Sequence, residues 1–295
     1  MKILCAIDGS RYSRWVLEAL KRIDMPSESS VELLHVIDRD QWPPNKQMTS
    51  QAKEAIQKGL VRAHASGHAF MTSAEKAVFA RGISAHGHVM TGRPVDTIVR
   101  FARRRQCELV VLGCRGLTAF RPFLLGSVSR RVVMDAPCSV MIVKRRLKAV
   151  HRVLIGVDGS KDARGAVELF LRLLPSKDIH ATVVSVVPPL PLESDVAPDE
   201  LATLLRDVQR PLEDDARTLA EQSAERLRQT GMKVDTSVVH GHIGRALVEA
   251  AQSSSADLMV IGSRGLTGAT RYLMGSVADT VVKYAPCPIL VFRRS

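Results

Sequence analysis

The sequence predicts an α/β protein made of two repeated domains, each a doubly wound, five-stranded parallel sheet. A duplication that runs through the whole chain, and an alternation of strand and helix within each copy, predict this class. Short β-branched runs without polar alternation are typical of strands buried on both faces, as in parallel sheets.

The clearest sign of duplication is a glycine motif that occurs twice at an offset of 149 residues. In the first copy, Gly113-Cys-Arg-Gly116 is followed, after nine intervening residues, by Gly126-Ser127. In the second copy, Gly262-Ser-Arg-Gly265 is followed, after nine intervening residues, by Gly275-Ser276. Each motif follows an apolar run and precedes Ala-Pro-Cys. Such glycine-rich turns allow backbone N–H groups to come close to phosphate.

The beginnings of the two copies also match. Lys2–Ser10 corresponds to Arg152–Ser160 at an offset of 150 residues. Repeats of this length are domains rather than solenoid units, because 100 to 150 residues suffice for an independent core. The basic stretch Arg145–Val150 is the predicted boundary, which gives domains of residues 1–147 and 150–295.

The elements follow in order from the apolar runs and the stretches between them. The first copy predicts strands at Ile3–Ile7, Val31–Ile37, Ile83–Met90, Leu109–Leu112 and Val140–Val143. Its predicted helices are Ser13–Arg22, Gln47–His64, Pro94–Arg104 and Ser127–Asp135. The second copy predicts strands at Val153–Val157, Thr182–Val187, Val234–Val239, Leu258–Ile261 and Ile289–Phe292.

Composition favours a cytoplasmic protein. Hydrophobic residues make up 45% of the chain, enough for two cores, and no window approaches the roughly 18 apolar residues of a membrane span. The apolar start ends at Asp8 without a cleavage site, so it is interpreted as a strand rather than a signal peptide. Five cysteines without a CxxC pair predict reduced thiols.

The candidate binding residues all fall at one edge of the predicted sheets. In doubly wound sheets, ligands lie outside the carboxyl ends of the strands, near the switch in strand order. Aspartates end the first strands, valines end the second strands, and the glycine motifs follow the strands before the last helices. The set is Asp8, Val36, Gly113, Gly116, Gly126 and Ser127, with Asp158, Val186, Gly262, Gly265, Gly275 and Ser276. Ser127 and Ser276 are each predicted to cap a helix, to contact phosphate, or to do both.

These features resemble the universal stress protein family. The resemblance rests on Gly-x2-Gly-x9-Gly-Ser after a strand, an Asp closing strand one, His35-Val36-Ile37 and the closing Ala-Pro-Cys-Pro strand. It implies a tandem of two such domains that binds adenine nucleotides, chiefly ATP. Adenine and ribose would lie near Asp8 and Val36 or Asp158 and Val186, with phosphates on the glycines and serines. It also implies that the domains pair about a pseudo-twofold through Val140–Val143 and Ile289–Phe292.

The two copies are not equal. The second has Ser263, Gly268 and a complete Ala-Pro-Cys-Pro, whereas the first has Cys114 and a proline, Pro122, within the nine-residue segment. Proline removes a backbone donor and stiffens the loop. The first copy in turn keeps His35, where the second has Ser185. The second copy is therefore predicted to be the better nucleotide site.

Catalysis is not predicted beyond slow ATP hydrolysis. The chain has neither a Walker A lysine motif nor a GxGxxG fingerprint. Arg115 and Arg264 lie inside the motifs, where they can neutralise phosphate charge. Asp8 and Asp158 each supply a single carboxylate, which is few protein ligands for a Mg²⁺ ion that accompanies ATP.

Two histidine pairs and one cysteine are interpreted without a metal. His86 with His88, and His240 with His242, lack the further ligands of a zinc site, so they are interpreted as polar residues near strand ends. Cys114 is interpreted as a small residue of a turn. The alternative is a thiol whose ionisation the helix N–H groups favour.

Charge divides sharply between the copies. Residues 1–149 carry 25 Lys and Arg against 12 Asp and Glu, or +13, and the remainder carries 17 against 18, or −1. Aromatic residues are only 4% of the chain, so a solvated basic face is favoured over nucleic-acid binding. Three functions stay open: a nucleotide-binding stress or signalling protein, a scaffold with vestigial sites that acts on a partner through its basic half, and a slow ATPase.

Overall fold

The computed structural model describes residues 1–25, 29–42, 48–80, 82–116, 125–189, 198–266 and 274–294, with only the backbone of 198–206. The chain divides into two compact units, Met1–Lys148 and Ala149–Arg294. They are called the first half and the second half below.

The first half is built on five parallel strands in the order β3-β2-β1-β4-β5. Its strands are β1 Lys2–Ala6, β2 Ser30–Asp38, β3 Ala85–Gly92, β4 Leu109–Gly113 and β5 Ser139–Val143. Its helices are α1 Arg11–Ala19, α2 Ser50–Phe79, α3 Pro94–Arg104 and α4 Ser127–Asp135. Short 3-10 turns follow α1 at Leu20–Arg22 and β2 at Arg39–Gln41.

The second half repeats this plan, with parallel strands in the order β8-β7-β6-β9-β10. Its strands are β6 Arg152–Gly156, β7 His180–Val187, β8 Lys233–His240, β9 Leu258–Gly262 and β10 Ile289–Phe292. Its helices are α5 Lys161–Leu173, α6 Pro198–Arg228, α7 Ile243–Ser253 and α8 Ser276–Tyr284. The predicted class, an α/β protein with two five-stranded parallel sheets, is confirmed.

The strand order reverses at β1 and at β6, and this reversal places the helices. Right-handed crossovers put α1 and α2 on one face of the first sheet and α3 and α4 on the other. In agreement, α3 contacts α4 and α1 contacts α2. The same rule pairs α5 with α6 and α7 with α8 in the second half. The carboxyl edge near each reversal is where this fold opens a crevice for ligands.

The central strands are buried because both faces are covered by helices. Ile3, Leu4 and Cys5 of β1, and Leu154 and Ile155 of β6, are at most 1% exposed. This explains why their sequences are unbroken apolar runs. Within the described part of the chain, none of the helices combines the length and the apolar character that a membrane crossing needs.

Some element bounds differ from the sequence prediction. Helix α1 begins at Arg11 rather than Ser13, because Ser10 is its N-cap and its side chain accepts from the backbone N–H of Ser13. Helix α2 continues to Phe79, well beyond His64, and β3 begins at Ala85 rather than Ile83. The predicted start of α2, Gln47, lies outside the described residues.

Candidate functional site

The aspartates that follow the first strand of each half lie in tight turns. The Asp8 carboxylate accepts from the Ser10 N–H at 3.0 Å and from the Ser13 hydroxyl at 2.8 Å. The Asp158 carboxylate accepts from the Ser160 N–H at 3.0 Å. Glycine follows each aspartate with a positive φ, +85° at Gly9, a conformation that L side chains rarely adopt. The turn thus fixes each carboxylate at the carboxyl edge of its sheet.

The second glycine of each motif lies directly against the aspartate of the same half. A Cβ atom added at Gly116 would be 2.7 Å from Oδ2 of Asp8. A Cβ atom added at Gly265 would be 2.7 Å from Oδ2 of Asp158. The structure therefore brings together residues more than 100 positions apart in sequence, in the same way in both halves.

The first glycine of each motif serves helix packing. A Cβ atom at Gly113 would be 2.5 Å from Cβ of Tyr12, and one at Gly262 would be 2.9 Å from the backbone nitrogen of Ala163. Both glycines end a strand, β4 and β9, where the first helix of the half crosses closely. Their absent side chains make room for that helix.

The third glycine of each motif is the N-cap of the last helix. The Gly126 N–H donates to the Cys114 carbonyl at 2.8 Å, and the Gly275 N–H donates to the Ser263 carbonyl at 2.9 Å. These bonds close each loop at its base. Ser127 and Ser276 are the first residues of α4 and α8, so the capping role falls to the glycines instead.

The helix ends beside these loops are suited to an anion. Among the described residues, no side chain caps the N-terminus of α4 or of α8 by a hydrogen bond. Such N–H groups, together with the helix dipole, favour negative charge. The middle of each loop, residues 117–124 and 267–273 with the noted Pro122 and Gly268, lies outside the described residues.

The valines of the second strands lie beside the aspartates. The Ile7 N–H donates to the Leu34 carbonyl at 2.9 Å, and this register sets Val36 next to Asp8 at the sheet edge. The Val157 N–H likewise donates to the Val184 carbonyl, close to Val186. Both Val36 and Val186 are half-buried.

His35 differs from its counterpart in the second half. It packs edge-on against Phe70, and its Nδ1 lies 3.0 Å from the Ile7 carbonyl oxygen. The second half has the buried Ser185 at this position. The ring therefore ties β2 to the end of β1 under helix α2.

A buried ion pair supports the loop of the second half. Asp162 of α5 accepts from Nε of Arg264 at 3.0 Å, from its Nη2 at 3.3 Å, and from the Ser263 hydroxyl at 2.9 Å. The side chains of Asp162 and Arg264 are 6% and 17% exposed. The Ser160 hydroxyl also lies 3.2 Å from the Arg264 carbonyl oxygen, to which it donates. Arg264 is thus held below the loop by Asp162.

The first half has a different set of residues at these positions. Tyr12 stands where Asp162 stands, and Cys114 where Ser263 stands. The Arg11 guanidinium donates to the Tyr12 hydroxyl at 2.9 Å and lies over its ring. Burial raises the pKa of the Cys114 thiol, despite the opposing hydrogen bond with Tyr12 and nearby cations. The thiolate is therefore disfavoured, in line with a small residue in a turn.

Sequence reasoning about single motifs did not find the Asp162–Arg264 pair. The sequence signal that could have found it is that two matching positions differ together between the copies. The first copy has Tyr12 and Cys114, and the second has Asp162 and Ser263. Two positions that change together are expected to be in contact, and here they are.

One histidine of each pair noted in the sequence lies beside a carboxylate. Nε2 of His88 lies 2.6 Å from Glu32, and Nε2 of His240 lies 2.8 Å from Glu213. Within the described residues, no group of three or more His, Cys, Asp or Glu side chains is placed to hold a metal ion.

Two cavities lie at the opposite, amino-terminal edges of the sheets. One, of about 560 Å³, is lined in the second half by His151, Arg152, Lys177, Asp178, His180, Lys233 and Asp257. The other, of about 370 Å³, is lined in the first half by Glu32, Glu75, His86, Gly87, His88 and Arg105. Both have charged linings and include none of the candidate residues at the carboxyl edge.

The sequence matches a protein-family model twice. The model, described as the Universal stress protein family, matches residues 1–144 and residues 149–293. A universal stress protein of Mycobacterium bovis is 32% identical over 221 residues, which cover 73% of this chain and 71% of that protein. One of Mycobacterium tuberculosis matches with the same values. These matches confirm the family resemblance seen in the sequence.

A solved structure shares the fold over the whole length of this chain. A universal stress protein of Archaeoglobus fulgidus aligns with a TM-score of 0.63 at 20% identity, covering 100% of this chain and 96% of that one. A universal stress protein in complex with cAMP aligns with a TM-score of 0.36 at 24% identity, covering 50% of this chain and 100% of that one.

Proposed function

This chain belongs to the universal stress protein family, in which it carries two domains, and we propose that it binds adenine nucleotides, chiefly ATP, in a stress or signalling role. The nucleotide is held at the carboxyl edge of the sheet, with adenine and ribose near the aspartate and valine. The phosphates lie on the second and third glycines and the following serine. Hydrolysis is slow or absent.

The observation that carries this proposal is the approach of Gly116 to Asp8 and of Gly265 to Asp158. Each aspartate carboxylate lies within 2.7 Å of a would-be Cβ on the glycine, so the glycine loop and the strand end form one site. Helix N-termini at Ser127 and Ser276 begin beside these loops. Backbone donors beside a glycine loop at a helix start suit a phosphate chain.

The second half is proposed as the tighter site. Its loop base is held by the Asp162–Arg264 pair and by the Ser160 bond to the Arg264 carbonyl. A loop that is already fixed loses less conformational entropy when it binds ligand. Arg264 already donates to Asp162, so it binds phosphate only if its N–H donors are shared between the two groups. Arg115 occupies the corresponding position in the first half.

Substitution of the matched glycines tests this assignment. We expect Gly265→Val to weaken ATP binding more than about tenfold, because the side chain collides with Asp158 and fills the phosphate site. Gly116→Val is the matched control in the first half and is expected to leave the tighter site intact. Calorimetry with ATP, AMP and cAMP gives affinity and stoichiometry; unchanged values in Gly265→Val would contradict the assignment.

Hydrolysis is tested separately from binding. Phosphate release by the native protein, with and without Mg²⁺, is compared with that of a Gly275→Val variant. A rate that survives in the variant belongs to the first half or to a contaminant. A scaffold with vestigial sites is indicated instead if no nucleotide is retained on purification and none binds. Pairing of the halves through Val140–Val143 and Ile289–Phe292 stays a prediction from the family resemblance.

A further inference from the structure

One helix layer of the first half carries an unusual concentration of arginine. Helices α3 and α4 with their flanking residues, 93–107 and 126–136, contain seven arginines, no lysine, and the two acids Asp96 and Asp135. The net charge is 7 − 2 = +5. The arginines are all exposed and are called the arginine layer: Arg93, Arg100, Arg103, Arg104, Arg105, Arg130 and Arg131.

The fold itself does not require this charge. The matching layer of the second half, residues 242–256 and 275–285, contains Arg245 and Lys283 against Glu249 and Asp279, for a net charge of zero. That layer forms the same two helices, packed together in the same way. The same architecture therefore forms without the arginines.

Three arginines of α3 face away from the sheet. On α3, Thr97, Ile98, Phe101 and Ala102 are buried. At about 100° per residue, Arg100, Arg103 and Arg104 lie within about 100° on the other side of the helix. Because α3 and α4 both bury their inner sides against the sheet, their outer sides form one continuous surface.

Ion pairs with described carboxylates do not explain Arg100, Arg103 and Arg104 of α3. Arg93 lies 3.2 Å from Asp40 and Arg131 lies 3.4 Å from Asp135, both in exposed pairs that contribute little stability. Within the described part of the chain, no carboxylate pairs with Arg100, Arg103 or Arg104. Like charges three and four residues apart on a helix repel each other.

The helix dipole explains only part of the pattern. Arg103 and Arg104 lie in the last turn of α3, where a cation is favoured. Arg100 instead lies in the middle of α3, where the dipole offers a cation no advantage. The exposed charges of Arg100, Arg103 and Arg104 therefore suit this surface to a negatively charged partner.

We propose that the arginine layer is a docking surface for an acidic, Asp- and Glu-rich segment of a partner protein. The guanidinium group binds carboxylates through two parallel hydrogen bonds, which an ammonium group does not. An acidic helix or extended segment laid across α3 and α4 neutralises the repulsion between the arginines. This docking does not depend on nucleotide binding.

The shape of the surface argues against nucleic acid. The major groove of DNA admits a single helix, whereas α3 and α4 lie side by side with their inner sides buried. Single strands are bound largely by stacking on aromatic side chains, and the one described aromatic ring of these helices, Phe101, is buried beneath the surface. A flat surface of arginine forks fits a carboxylate-rich polypeptide better.

A charge-reversal experiment tests the docking surface. The probe is a fluorescein-labelled peptide of alternating Glu and Asp, about 20 residues long, enough to span about 30 Å as a helix. We expect saturable binding to the full chain at about 150 mM salt. The triple variant Arg100→Glu, Arg103→Glu, Arg104→Glu is expected to bind at least about tenfold more weakly, because like charges now face each other.

A charge-matched control separates the surface from net charge. Lys53→Glu, Lys58→Glu and Arg62→Glu change three exposed cations of α2, on the opposite face of the sheet, and are expected to leave peptide affinity within about twofold. Equal losses in both triple variants, or no saturable binding of the peptide, would overturn the proposal. So would tighter binding of single-stranded DNA, duplex DNA or anionic vesicles to the same layer.

A milder variant guards against misfolding. Circular dichroism and urea unfolding check both reversed variants. Replacing the same three α3 arginines by lysine keeps the charge and removes the forked donors, so the peptide is expected to bind about threefold more weakly. Unchanged affinity in the lysine variant together with unchanged affinity in a folded glutamate variant contradicts the proposal.

Discussion

At the scale of single residues, Asp162 distinguishes the two halves most clearly. Its carboxylate is 6% exposed and accepts from both Arg264 and Ser263. Removing one member of a buried ion pair leaves an uncompensated charge, which costs far more than the intact pair contributes. The stability of the second half and the position of its glycine loop therefore depend on the same side chain.

We expect Asp162→Asn to destabilise the second half by about 3 kcal/mol, because the isosteric amide leaves the Arg264 guanidinium half-buried without its counter-charge. Urea unfolding followed by circular dichroism measures the loss. Tyr12→Phe at the matching position removes hydrogen bonds to the exposed Arg11 and to Cys114 but leaves no charge unpaired, and it is expected to cost about 1 kcal/mol. Equal effects of the two substitutions would show that the Asp162–Arg264 pair is not special.

At the scale of elements, a serine caps the first helix of each half, and the serine of the second half makes one further hydrogen bond. Ser10 caps α1 through the Ser13 N–H, and Ser160 caps α5 through the Ala163 N–H. Ser160 in addition donates to the Arg264 carbonyl at 3.2 Å. One cap therefore stabilises a helix alone, and the other also links that helix to the glycine loop.

The matched substitutions Ser10→Ala and Ser160→Ala separate these two roles. Each is expected to cost about 1 kcal/mol for the lost cap, with a further loss at Ser160 for the bond to the loop. ATP affinity of the second half is expected to fall in Ser160→Ala, whereas Ser10→Ala leaves it unchanged. Calorimetry and urea unfolding give both quantities. Unchanged ATP affinity in Ser160→Ala would mean that the bond does not position the loop.

Much of the element order was predictable because the same order of strands and helices is repeated in both copies of the sequence. The strands are apolar runs buried on both faces, and the duplicated glycine motifs locate β4 and β9 without ambiguity. Helix α2 was predicted far too short, since its buried residues, Gly67, Met71, Ala74 and Val78, give only weak apolar contrast. The crossover itself does not set this length, because α1 and α3 complete parallel crossovers of the same sheet with nine and eleven residues.

The site was predictable only in part. The sequence placed Asp8 and Gly116 at the same sheet edge, but the closeness of the carboxylate to the glycine depends on tertiary packing. The Asp162–Arg264 pair joins residues 102 positions apart, which no local pattern encodes. A second pair of positions shows the same kind of exchange: His64 with Thr91 in the first half becomes Glu213 with His240 in the second.

At the scale of the whole molecule, the two halves share a fold and differ in charge and in buried thiols. The first half carries +13 and the second −1, by the counts of residues 1–149 and 150–295. Four of the five cysteines, Cys5, Cys107, Cys114 and Cys138, are buried in the first half, and only Cys287 lies in the second. Alkaline pH is therefore expected to act mainly on the first half.

The direction of this pH effect follows from the buried thiols. Burial, and to a lesser degree Glu32, raises the pKa of Cys107 to about 11, and burial also raises the pKa of Cys5. An unfolded thiol loses its proton near pH 8.5. Above that pH the unfolded state binds fewer protons than the folded state. The free energy of unfolding therefore falls as pH rises from about 9 towards 11, by up to about 1.4 kcal/mol per pH unit for each such thiol.

Tryptophan fluorescence can isolate this effect, because both tryptophans, Trp15 and Trp42, lie in the first half. We expect the urea midpoint seen by fluorescence to fall between pH 8 and pH 10 more steeply than the midpoint seen by circular dichroism, which averages both halves. Cys107→Ala, which installs the residue found at the matching Ala256, is expected to reduce that slope by the share of one thiol. Lysine and tyrosine side chains also titrate in this range, but they are the same in the native protein and in Cys107→Ala. An identical pH slope in Cys107→Ala would therefore show that the alkaline sensitivity of the first half arises from groups other than this buried thiol.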